Sequence, residues 1–161
     1  MQWSLPHTSG TVFKPHPQSE TRKLSATILI KYLLALKNPE ILPTHVVQLL
    51  RVLLWKVTEA EGGKHKTRFQ SQGAIDCSDK SHLRHDHVFP RAKMIAALKK
   101  AAPGKVADIL KRAIGCTVTK KEHARLSKFD KECDGWDRYK KAGVRVIDTQ
   151  TSKRVIKKRV K

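Results

Sequence analysis

The sequence predicts an α+β fold, predominantly helical, in which a helical hairpin precedes a smaller mixed core. Three observations lead there. Apolar residues recur at helical spacing in two long runs before residue 63. Two short β-prone segments, Leu83 to Phe89 and Cys116 to Val118, lie between further helical runs. Proline and glycine pairs separate nearly every run from the next. At 161 residues and 39% apolar content the chain suits one domain with a real core.

Residues 1–23 carry Pro6, Gly10, Pro15 and Pro17 among Ser and Thr, and are expected to form a flexible N-terminal arm. From Ser25, an N-cap residue type, Ile28, Leu29, Tyr32, Leu33 and Leu36 repeat with helical period until Asn38-Pro39. Pro43-Thr44 opens a second helix that should reach Glu61. Its Val46, Val47, Leu49, Leu50, Val52, Leu53, Leu54 and Val57 cover more than one face, and Gly62-Gly63 ends it. Residues 24–63 therefore read as a hairpin buried against the core, with a dimerisation surface as the competing reading.

The core proper is assigned to 64–148. It opens on a basic loop, Lys64 to Gln72, followed by a polar turn and the strand Leu83 to Phe89. Helices are expected over 90–102 and around Val106 to Ala113, each ended by a glycine or proline. Cys116-Thr117-Val118 is the second β segment. Thr119 with Glu122 three positions on is a capping box, opening a helix to about Lys128 that carries His123 and Ser127 on one face. A short helix from Asp134 to Tyr139 and a final strand Val144 to Ile147 follow. Residues 149–161 form a basic C-terminal tail, expected to be disordered until it meets a polyanion.

Lys and Arg number 34 against 14 Asp and Glu, a formal charge of +20, and the isoelectric point is about 10.2. Such an excess points to a polyanionic partner, DNA in the first place with RNA left open. A membrane is not expected, because no basic amphipathic helix concentrates the charge and the apolar run Leu24 to Leu36 is short and broken by Lys31. Three widely spaced cysteines, Cys77, Cys116 and Cys133, argue against a disulfide scaffold. The N-terminus lacks the apolar run of a signal peptide, so a soluble, cytoplasmic protein is expected.

His82-Leu83-Arg84-His85-Asp86-His87-Val88-Phe89-Pro90-Arg91 places three histidines and an aspartate within six positions. Hydrolysing a phosphodiester needs a base for the attacking water and a cation for the leaving oxygen. Adjacent residues on a strand point to opposite faces, so Asp86 and His87 can take those separate roles. His123, on a capped helix after a β segment, stands where a second ligand is needed.

The series Asp86-His87-Val88-Phe89-Pro90, a helical connection, Cys116-Thr117-Val118-Thr119 and Lys120-Lys121-Glu122-His123 resembles the HNH, or ββα-metal, nuclease family, over roughly Trp55 to Asp148. The resemblance implies a β-hairpin packed on a helix with a divalent metal between them. Asp86 and His123 would hold the metal, His87 would activate the water, and Arg91 would contact phosphate. The products would carry a 5′ phosphate and a 3′ hydroxyl. Departures are visible too: the only asparagine is Asn38, no C-x-x-C pair is present, and the connection after Pro90 is long. With only two or three protein ligands, Mg or Mn fits better than Zn.

Sequence-independent affinity is assigned to Lys64, Lys66, Arg68, Arg84, Lys153, Arg154, Lys157, Lys158 and Arg159. A homodimer would be a simple route to double-strand cutting. Two alternatives stand beside the nuclease. One is a non-catalytic nucleic-acid-binding protein with a structural zinc site drawn from Cys77, His82, His85, His87, Cys116, His123 and Cys133. The other is a ββα fold kept for binding after loss of activity.

Overall fold

The structure, a computed structural model, describes residues 12–156. Residues 12–18 are not a free arm. The Phe13 amide donates to the Thr149 carbonyl at 3.2 Å and the His16 amide to the Glu61 carbonyl at 2.7 Å, tying this stretch to the body. Helix α1 (Ser19–Ala35) starts earlier than the Ser25 cap the sequence suggests. It runs to the Leu36 cap, and α2 (Pro43–Glu59) begins with proline at its first turn, where the fixed φ and missing N–H cost nothing.

The sheet has five strands in the order β2-β3-β1-β4-β5. Strand β1 (Phe69–Ser71) lies inside the segment read as a basic loop. Three residues are too few to show a period of two in sequence. It runs parallel to β3 (Gly115–Thr119) and antiparallel to β4 (Val146–Asp148). Ser71 then caps the single-turn α3 (Gln72–Ile75), its Oγ accepting from the Ala74 amide at 3.0 Å. Strand β2 (Leu83–His87) pairs antiparallel with β3, from Leu83 opposite Thr119 to His87 opposite Gly115.

Between those two strands the chain makes a helical excursion, α4 (Arg91–Lys100) and α5 (Val106–Leu110). Helices α6 (Lys120–Ser127) and α7 (Gly135–Lys141) follow β3. Val144 to Ile147 is not the last strand. A turn with Ser152 at φ 56° leads into β5 (Lys153–Arg154), which pairs with Ile147 and Asp148. The start of the expected disordered tail is therefore a sheet edge; Lys157, Lys158 and Arg159 lie outside the described residues.

Two apolar clusters divide the work. The first joins Ile30 and Leu33 of α1, Leu50, Leu54 and Val57 of α2, and Met94, Leu98, Val106 and Leu110 of the excursion. The second joins Val88, Cys116, Val118, Leu126, Tyr139 and Val146 between the sheet, α6 and α7. Phe89 packs against both. The long connection after Pro90 is thus the second half of a helical layer whose first half is the N-terminal hairpin. That hairpin is only half buried: Leu49 and Val52 of the expected all-buried helix are 52% and 54% exposed. Among the described residues, no helix is long and apolar enough to cross a membrane.

Candidate functional site

The approach of Asp86 to His123 follows from three local choices in the chain. Antiparallel register sets Asp86 opposite Cys116. Strand β3 ends at Thr119, and the capping box is complete. Thr119 Oγ1 accepts from the Glu122 amide at 3.2 Å, and Glu122 Oε2 accepts from the Thr119 amide at 2.9 Å. The helix so started folds back over β2 and β3, and His123 Nε2 comes to 3.6 Å from Asp86 Oδ1, across 37 positions of sequence (86 to 123).

Asp86 is 4% exposed, and its second oxygen is fully engaged. Arg138 Nη2 and the Tyr139 hydroxyl both donate to Oδ2, the latter at 2.5 Å. Arg138 is itself buried, and its Nη1 and Nη2 also donate to Asp130 Oδ1 at 2.5 Å and the His87 carbonyl at 2.6 Å, while Nε has no partner. Burial pushes the Asp86 carboxyl above its ordinary value, against the pull of Arg138, Tyr139 and His123. Helix α7 is set by Gly135, which sits at φ +60°. A Cβ there would meet the Phe89 ring at 2.9 Å, so glycine alone allows the close approach.

The opposite face of β2 carries His85 and His87. Their ring centroids are 5.3 Å apart, and Trp55 of α2 stacks on His85 at 4.8 Å and meets His87 edge-on at 5.4 Å. His85 is held at both ring nitrogens, by Thr58 Oγ1 at 2.9 Å and the Lys64 carbonyl at 3.1 Å. His87 is 7% exposed, and neither of its nitrogens has a hydrogen-bond partner. Burial, then the neighbouring His85, Arg91 and Arg138, push its imidazole down to about 3. Arg91, at the start of α4, lays its guanidinium 5.3 Å from the Trp55 ring centre.

A divalent ion finds two protein donors here, Asp86 Oδ1 and His123 Nε2. Their 3.6 Å separation is less than twice the usual bond length of about 2.1 Å, so one ion can touch both. The His123 side chain is 42% exposed, leaving the approach open to water and phosphate. Among the described residues no three His, Cys, Asp or Glu side chains converge. The donors named for a zinc module are dispersed: Cys77 and Cys133 point to the nearby carbonyls of Asp79 and Phe129, His82 lies 3.4 Å from Asp79, and Cys116 is fully buried.

Of the basic residues, Lys64, Lys66, Arg84, Lys153 and Arg154 are exposed. Arg68 is not a free cation. It makes a two-pronged bond to Asp148, at 2.9 and 2.7 Å, that clamps β1 to β4. Sequence reading put Arg138 and Tyr139 in a short helix and missed both as site residues. The visible signal was an arginine and a tyrosine in a segment already flagged, yet only a fold shows that they reach Asp86. Trp55 and Thr58 left no signal at all within an apolar helix. Against family models, curated proteins and solved structures, the chain has no match.

Proposed function

We propose that the chain is a metal-dependent endonuclease of HNH type acting on DNA. The observation that carries this reading is the 3.6 Å approach of Asp86 Oδ1 to His123 Nε2 on an antiparallel strand pair followed by a helix. Asp86 and His123 would hold the ion, Mg or Mn, which when bound supplies positive charge for the leaving oxygen. Arg138 and Tyr139 hold Oδ2 of Asp86 and leave Oδ1 toward His123, the orienting role that outer residues play around metal ligands. His87 is uncharged at neutral pH, the form that accepts a proton from water. With its imidazole held at about 3, His87 would serve as the base only if a bound phosphate raised its proton affinity. Arg91 would contact that phosphate. Lys64, Lys66, Arg84, Lys153 and Arg154 supply affinity that does not depend on base sequence.

A second reading is favoured by Arg138. Its guanidinium cancels the charge of Asp86 in a buried pair, which suits a ββα fold kept for binding alone. Plasmid incubated with the full chain and Mg or Mn, with and without chelator, separates the two. Chelator-sensitive nicking that disappears in Asp86→Ala is expected of the nuclease. Plasmid left supercoiled with every metal while gel shifts persist would sink the enzymatic reading and leave the binding one.

A further inference from the structure

Among the described residues ten large apolar side chains are exposed, and eight of them sit on one hairpin: Leu24, Ile28, Leu29, Tyr32, Leu36, Leu42, Leu49 and Val52. Scattered apolar residues on a surface need no explanation, but this concentration does. Leu24, Ile28, Tyr32 and Leu36 follow one another at intervals of four, so they climb one side of α1 on successive turns. Their exposures are 60%, 43%, 72% and 51%. The surface continues onto α2, since Leu29 and Leu53 line a common groove of about 530 Å³ with Ala26 and Ala60.

We propose that this face joins two copies of the chain, with α1 packed antiparallel against α1 of the second copy about a two-fold axis at Ile28. The seam reads the same in both directions. An axis at Ile28 sets Ile28 against itself and Leu24 against Tyr32. Glu20, whose side chain is 88% exposed, then meets the Leu36-Lys37 end of the other helix. Two opposite-charge contacts frame an apolar centre. Lys31, the one charge that interrupts the stripe, falls opposite Ser25 rather than opposite its own copy. A two-fold interface requires such self-complementarity.

The area is sufficient. At roughly 100 Å² for each half-exposed side chain, the five on α1 and its cap (Leu24, Ile28, Leu29, Tyr32 and Leu36) offer on the order of 500 Å² per copy, about 1,000 Å² over both, the lower bound of a specific interface. The overall charge of +20 opposes association, and salt that screens it should favour the dimer.

Sedimentation of the full chain over a concentration series at 0.15 and 0.5 M salt tests this. A dimer is expected, tighter at the higher salt. Ile28→Asp puts two carboxylates on the axis and should weaken the dimer on the order of 100-fold. The same change at an exposed apolar residue outside the face, Ile75→Asp, should leave it intact. Glu20→Lys and Lys37→Glu should each weaken association, and the double variant should restore it, the outcome specific to antiparallel helices. Both variants lie at exposed positions, so circular dichroism is expected to show an unchanged fold. A chain that stays monomeric up to about 100 μM at both salt concentrations overturns the proposal and leaves the face to a different protein. So does a dimer indifferent to Ile28→Asp, or charge swaps that fail to compensate.

Discussion

The two faces of β2 treat their polar side chains in opposite ways. On one, Asp86 is satisfied on one oxygen by Arg138 and Tyr139 and leaves the other toward a half-exposed His123. On the other, His85 is bonded at both nitrogens while His87, two residues away on the same face, is bonded at neither. Buried polar groups are nearly always paired, and leaving one unpaired costs stability. An imidazole left unpaired beside one that is fully paired is the observation on which the proposed role of His87 rests. The contrast also separates two histidines that the sequence presents as equals.

That contrast can be broken most directly at His87. His87→Ala should lower metal-dependent nicking by about 10²–10⁴-fold, the usual worth of a general base, while thermal unfolding changes little. His85→Ala should do the reverse, retaining nicking in whatever fraction stays folded but lowering the melting temperature, because the Lys64 carbonyl loses its bond to the ring and Thr58 keeps only the Trp55 carbonyl. If both variants behave alike, the division of roles is wrong.

Next in size is Arg138→Met. It strands Asp86 in a buried site and removes the partner of Asp130, so a loss of about 3–5 kcal/mol in urea unfolding is expected. A loss below 1 kcal/mol, on the order of an exposed pair, would mean that the clamp does not hold the carboxylate. Gly115→Ala probes the histidine face from the neighbouring strand. Its Cβ would fall 2.6 Å from His85 Cε1, against a ring fixed at both nitrogens, and about 1–3 kcal/mol of destabilisation is expected.

The smallest effect belongs to the other Asp–Arg pair, at the far end of the sheet. Hydrogen bonds from Arg68 hold the Asp148 carboxyl below its ordinary value of 3.8. A carboxyl lowered by folding stabilises the fold above its unfolded value, and this contribution fades as pH falls through the folded one. Wild type should therefore lose stability below about pH 4 more steeply than Asp148→Asn, followed by fluorescence at fixed urea. Identical acid limbs would show that this partly exposed clamp adds nothing.

Much of this was readable in the residues, for reasons that differ by region. Helices with caps and breakers were legible because the signals are local: Thr119 with Glu122, Pro43, and the glycines after 61. The meeting of Asp86 with His123 was legible because a short motif and a capped helix carry residue types suited to one chemistry, whereas His87 lies on the other face of β2. Arg138 and Trp55 were not, since their roles depend on which elements meet. Strand β1 is too short to show alternation, and it is held by pairing with β3 and β4 rather than by its own composition. Leu49 and Val52 misled in the other direction. Apolar residues at helical spacing say that a face will be covered, not whether the cover comes from the same chain.

The helical excursion between β2 and β3 has a consequence for how the molecule can be divided. Its turn at Ala102 to Lys105 is exposed, and a side chain at Gly104 would touch nothing within 4 Å. A chain cut there yields two pieces, the first with α1, α2 and α4 of the helical layer and the second with α5. Asp86 and His87 remain on the first piece and His123 on the second. Neither fragment contains both ligands, so metal-dependent cleavage would report on the reunion of the halves. Under the proposed function, the seam of such a divided protein would run through the candidate site itself.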